Sequence, residues 1–69
     1  MVTCEEFFGA NAGKVWAALK SNGPMTAAKL CESAELEERE VRGALGWLGR
    51  EDKIKIDQSH KNFVYSLNE

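Results

Sequence analysis

Seven side chains that carry or can acquire positive charge fall in the second half of the sequence: Arg39, Arg42, Arg50, Lys53, Lys55, His60 and Lys61. Grouped cations of this kind can grip a nucleic-acid backbone, where each neutralised phosphate releases condensed counterions. Interleaved with the first of them stand Glu37, Glu38 and Glu40. An exposed carboxylate costs about 1 kcal/mol for each phosphate it is pushed near in water. Residues 26–52 hold seven acidic and four basic side chains, a balance unlike that of an ordinary DNA-reading surface. Three roles are open to the glutamates. They complement the dipole at a helix N-terminus, they turn nucleic acid away or attract a basic protein partner, or one accepts a hydrogen bond from cytosine in the major groove. The hairpin lysines have an equally simple alternative, the protection of an edge strand from aggregation.

Other chemistry finds less support. His60 is the only histidine, and Cys4 and Cys31 fall on different elements, so no metal site is expected. Cys31 reads as a small apolar residue on a helix and Cys4 as incidental. No nucleophile has a plausible base, no glycine-rich phosphate loop is present, and the chain is too small to enclose a substrate, so it is expected to be no enzyme and to need no cofactor. The aromatics suggest a different use. Trp47, with Phe7 or Phe8 and the small Gly43 and Gly46, has the makings of a self-association patch, since interface cores favour large aromatics. Packing of Trp47 under the hairpin or against the N-terminal segment is the alternative.

These residues have to be positioned by elements that caps and periodicity define. Thr3 and Glu6 have capping-box spacing, and Phe8, Ala12, Val15 and Leu19 recur at helical intervals until Asn22-Gly23-Pro24 stops the helix. Gly9 and Gly13 weaken its early turns. Thr26 can cap a short second helix with Ala27, Leu30, Cys31 and Ala34 inward, and Leu36 follows a tight turn. A third helix from Glu37 turns Val41, Ala44, Leu45 and Leu48 to one face and Arg39, Arg42, Gly43, Gly46 and Arg50 to the other. The period then changes to two. Ile54 and Ile56, then Phe63, Tyr65 and Leu67, alternate with Lys55, Asp57, Val64 and Ser66, which predicts a hairpin around a polar loop at residues 58–62.

The run Gly13-Lys14-Val15-Trp16 through Leu19, then Gly23-Pro24-Met25-Thr26, then Val41 through Ala44-Leu45-Gly46-Trp47-Leu48-Gly49-Arg50-Glu51-Asp52-Lys53-Ile54, resembles a family of short stand-alone winged helix-turn-helix proteins of bacteria and archaea with no assigned function. The resemblance implies an α+β fold of three helices followed by a two-stranded β-hairpin wing. Residues 27–34 would be the first helix of the helix-turn-helix, and residues 37–50 its recognition-type helix. Two departures from the general pattern matter. Glu35 stands where the turn usually has Gly, which places a side chain in a left-handed conformation at a cost of order 1 kcal/mol. Glu37 stands where Ser or Thr usually caps, with Glu40 preserving half of a capping box.

Composition bounds the rest. A chain of 69 residues, 43% hydrophobic and 29% charged, supports one core, so residues 1–69 are expected to form one domain of modest stability. Two cysteines make no disulfide framework, no secretory segment is evident, and no apolar run approaches membrane-spanning length, so a cytoplasmic protein without a membrane role is expected. No small-molecule ligand is evident. Two functions stay open: a DNA-binding winged helix, expected to be a transcription-associated regulator, and a winged helix that binds a protein, a second copy of itself included. The net charge of −2 lowers the first without removing it.

Overall fold

The computed structural model describes all 69 residues. Thr3 Oγ1 accepts the Glu6 N–H at 3.0 Å, and the Thr3 N–H reaches back to Glu6 Oε1 at 3.4 Å. This capping box opens α1 (Cys4–Asn22) where the spacing placed it. The helix ends at Gly23, whose N–H makes the last helical bond, to Leu19 O at 2.9 Å, and whose φ of 81° turns the chain away, a conformation that a Cβ would strain.

Next comes an element that periodicity does not reveal. β1 (Met25–Thr26) is two residues long, too short to show an alternation. Thr26 then serves twice, since its Oγ1 also caps α2 (Ala27–Ala34) by accepting the Lys29 N–H at 3.2 Å. The turn out of α2 is the strained one anticipated: Glu35 sits at φ 57°, ψ 47°, and the following Leu36 N–H closes on Cys31 O at 3.1 Å. In α3 (Glu38–Arg50) the half capping box forms, with Glu40 Oε1 accepting the Glu37 N–H at 2.9 Å. The exit from α3 repeats the left-handed device. Asp52 takes φ 59°, its N–H bonds Gly49 O, and the Lys53 N–H bonds Leu48 O, both at 3.0 Å, which is a Schellman ending built without glycine.

β2 (Ile54–Asp57) and β3 (Val64–Leu67) form the hairpin, paired antiparallel with Ile54 opposite Leu67 and Ile56 opposite Tyr65. β1 adds to the far side of β3, so the sheet has three strands in the order β1-β3-β2 rather than the hairpin alone. The register puts Ile54, Ile56, Tyr65 and Leu67 on one face and Lys55, Asp57, Val64 and Ser66 on the other.

Each helix supplies one large fully buried side chain, Val15, Leu30 and Val41, around which Ala12, Leu19, Ala44, Leu45 and Leu48 close. Met25, Leu36 and Ile54 seal the edges. This is a winged-helix fold, with α2 and α3 as the helix-turn-helix and the β2–β3 hairpin as the wing. Along the wing, Ile54 is buried in the core and Tyr65 and Leu67 pack half-buried against it, while Ile56 and Phe63 are 47% and 49% exposed, because the hairpin runs out past the helices. No helix is long and apolar enough to cross a membrane.

Candidate nucleic-acid interface

The inward stripe of Val41, Leu45 and Leu48 fixes the rotation of α3 and leaves Arg39, Arg42, Gly46 and Arg50 along its opposite side. At the start of that side the positive charge is offset by neighbouring carboxylates. Arg39 Nη2 lies 3.2 Å from Glu37 Oε1, and Arg42 Nε donates to Glu38 Oε1 at 2.9 Å across one helical turn. Lys53 pairs with Glu51 at 3.7 Å. Exposed pairs of this kind add little stability, but they weaken the field a phosphate would feel. Arg50, Lys55 and Lys61 have no carboxylate within 4.0 Å.

The wing begins with a turn made by one carboxylate. Asp57 Oδ1 accepts from Ser59 Oγ at 2.6 Å and from the Ser59 N–H at 2.9 Å, and Asp57 Oδ2 lies 3.3 Å from His60 Nε2. The Ser59 hydroxyl first, then its N–H, holds the Asp57 carboxyl below the ordinary value of 3.8, with His60 adding a smaller pull. His60 therefore belongs to the architecture of the turn, and Lys61 is the free cation of the loop.

Between α3 and the wing runs an open groove of about 540 Å³, bordered by Arg42, Gly46 and Gly49 on the helix and by Ile54, Lys55, Ile56 and Tyr65 on the hairpin. Its helical wall is low because nothing lies within 4 Å of where a Cβ of Gly46 or Gly49 would stand. Arg42 and Tyr65 also border a neighbouring hollow of about 420 Å³ that reaches Glu38, Asn62 and Phe63. The two make one surface. It can hold a backbone against cations while offering exposed Ile56 and Phe63 and the half-buried Tyr65 to apolar or stacking contact. Sequence reasoning chose the cations but missed Gly49, Ile56, Phe63 and Tyr65. Alternation in a strand tells which residues share a face and not where the core beneath that face ends.

The aromatic patch is divided. The Phe8 ring lies over Gly43, where a Cβ would overlap its Cε1 and stand 2.8 Å from its Cδ1. It also stacks on Trp47 with centroids 6.3 Å apart and meets Phe7 edge-on at 5.4 Å. Phe8, Gly43 and Trp47 thus join α1 to α3 within one chain, Phe7 stays exposed beside them, and Gly46 faces the groove by the wing. Cys4 is exposed and Cys31 half-buried, both as free thiols, and no three His, Cys, Asp or Glu side chains converge.

Comparison with known proteins bears on the architecture. Protein BT2368 from Bacteroides thetaiotaomicron, solved in solution by NMR, superposes with a TM-score of 0.87 at 31% identity, over 94% of this chain and 79% of that one. The Zalpha domain of PKZ from Carassius auratus, crystallised in complex with Z-DNA, gives 0.77 at 22% identity, over 87% of this chain and 95% of that one. The apo Zalpha domain of zebrafish PKZ gives 0.81 at 19% identity, over 90% and 97%. No curated protein matches the sequence. The pattern of a winged helix-turn-helix family matches residues 3–67, nearly the whole chain. The protein therefore belongs to the winged helix-turn-helix domain family DUF2582.

Proposed function

We propose that this domain is a non-catalytic module that binds duplex DNA through the wing and the second half of α3, in the cytoplasm and in a transcription-associated role. One observation carries the reading: the three candidate cations free of ion pairs, Arg50, Lys55 and Lys61, lie on the wing and at the end of α3, where Glu51 is taken up by Lys53, whereas Glu37, Glu38 and Glu40 crowd the start of that helix, the first two holding Arg39 and Arg42. The major-groove entry usual for a helix-turn-helix uses that first turn. Here Glu37, Glu38 and Glu40 oppose it, so contact shifts toward Gly46, Arg50 and the hairpin. Fold analogy supports a nucleic-acid ligand, since one structural neighbour was crystallised with Z-DNA.

The test is a titration with duplex DNA followed by backbone amide shifts at low and moderate salt. Shifts are expected at Gly46, Arg50, Lys55 and Lys61 and not at residues 37–40. Three phosphate contacts give a log–log salt slope of about −2.7, so affinity should fall about 40-fold between roughly 50 and 200 mM salt. Silence of these amides at low salt overturns the proposal.

A further inference from the structure

We propose that the outer face of α1 is a docking surface for the same face of a second copy of this chain, forming an antiparallel two-fold pair. The proposal is independent of nucleic-acid binding and involves no residue of the α3–wing groove. The core takes Ala12, Val15, Ala18 and Leu19 of α1, which leaves Glu6, Gly9, Ala10, Gly13, Trp16, Ala17 and Lys20 in one strip on the other side. No other element of this chain packs along the length of that strip. No atom lies within 4 Å of a Cβ placed on Gly9 or Gly13, and Trp16 is 38% exposed. Beside the strip, Gly9, Gly13, Trp16 and Trp47 border a groove of about 250 Å³.

Charge selects the occupant. The strip is acidic at its N-terminal end, through Glu6, and basic at its C-terminal end, through Lys20. A second α1 laid antiparallel with Gly13 on the two-fold axis sets Glu6 against Lys20, Gly9 against Ala17 and Ala10 against Trp16, each contact occurring twice as an isologous interface requires. The helix dipoles also run in opposite directions. Small residues at the crossing let the two helices approach closely, and each Trp16 lies over the low surface of the other copy, as aromatic anchors do in interface cores. Both charges keep a free side: the Thr3 capping bonds use only Glu6 Oε1, which leaves Oε2 open, and Lys20 is held only loosely. Its pair with Glu69 at 3.5 Å is exposed, and its Nζ lies 5.5 Å above the Trp16 ring, already turned toward the strip. One helix pair buries less than a standard interface, so a weak dimer is expected.

Sedimentation equilibrium from micromolar to millimolar protein tests this. The wild-type chain should associate to a dimer and no further. Gly13→Leu fills open space in the monomer and improves helix propensity, so the fold is retained, yet it should weaken the dimer about tenfold or more. Lys20→Glu alone should be monomeric, as should Glu6→Lys, which also loses the Thr3 capping bond; an equimolar mixture of the two should associate, because each then faces its opposite charge, a recovery that a frayed helix start would not give. A wild-type chain that remains monomeric at millimolar concentration, a Gly13→Leu dimer of unchanged affinity, or a mixture no more associated than its components would overturn the proposal.

Discussion

Replacing Glu38 by Gln acts on the step that sets this domain apart from an ordinary DNA reader. Glu38 Oε1 holds Arg42 Nε at 2.9 Å, both side chains are 70% exposed, and Arg42 borders the groove between α3 and the wing. The substitution frees a guanidinium and removes a charge of the wrong sign. A unit charge about 4 Å from a phosphate in water is worth about 1 kcal/mol, so affinity for duplex DNA should rise about fivefold at low salt. Recruitment of Arg42 as a further phosphate contact should steepen the salt slope by about 0.9. The fold should weaken slightly, by about 1 kcal/mol, through loss of an i,i+4 pair and of a carboxylate at a helix N-terminus. Tighter binding from a less stable protein is not what general damage produces. The assay is fluorescence anisotropy of a labelled duplex across a salt series, beside a urea melt, with Glu32→Gln on α2 as a control of equal charge change. If Glu38→Gln binds no tighter than Glu32→Gln, the account of the acidic first turn is wrong.

Three further expectations concern the scaffold. Glu35→Gly relieves the left-handed strain at φ 57° and should stabilise the protein by about 1 kcal/mol in chemical denaturation, whereas Glu35→Ala should not. Gly43→Ala should destabilise by about 1 kcal/mol, since its Cβ meets the Phe8 ring, while Gly49→Ala, with open space at that position, should stabilise by a similar amount; equal effects at the two sites would mean that Phe8 does not pack there. The Asp57 carboxyl is lowered in the folded state by Ser59, so whatever it contributes to the wing is present above 3.8 and is lost as pH falls through its folded value. An NMR titration should place Asp57 below the ordinary carboxylate and show it move up in Ser59→Ala; an unchanged midpoint in that variant would remove Ser59 as the cause.

Local rules made much of the fold legible. The Thr3–Glu6 box, the Thr26 cap, the Asn22-Gly23-Pro24 stop and the change of period after Asp52 are each decided within a few residues, and the structure realises all of them. Glu35 could be marked as strained because it stands where the general helix-turn-helix pattern has Gly, while Asp52 could not, because its left-handed conformation follows from how α3 hands the chain to the hairpin. β1 escaped notice because two residues carry no period, and its partner β3 lies far along the chain.

The candidate site divides along the same line. Residue types and helical spacing were enough to name the cations and to locate the acidic start of the third helix, since charge is a property of the side chain and helical facing follows from 3.6 residues per turn. Which cations are free was decided by pairing between side chains two to four residues apart: Arg39, Arg42, Lys53 and His60 have carboxylate partners, and Arg50, Lys55 and Lys61 do not. Packing also decided that Phe8 and Trp47 hold α1 to α3, and that Gly46 opens onto the wing instead. Whether an apolar side chain becomes core, a groove wall or an open face depends on how far the neighbouring elements extend over it. That is a property of the assembled molecule.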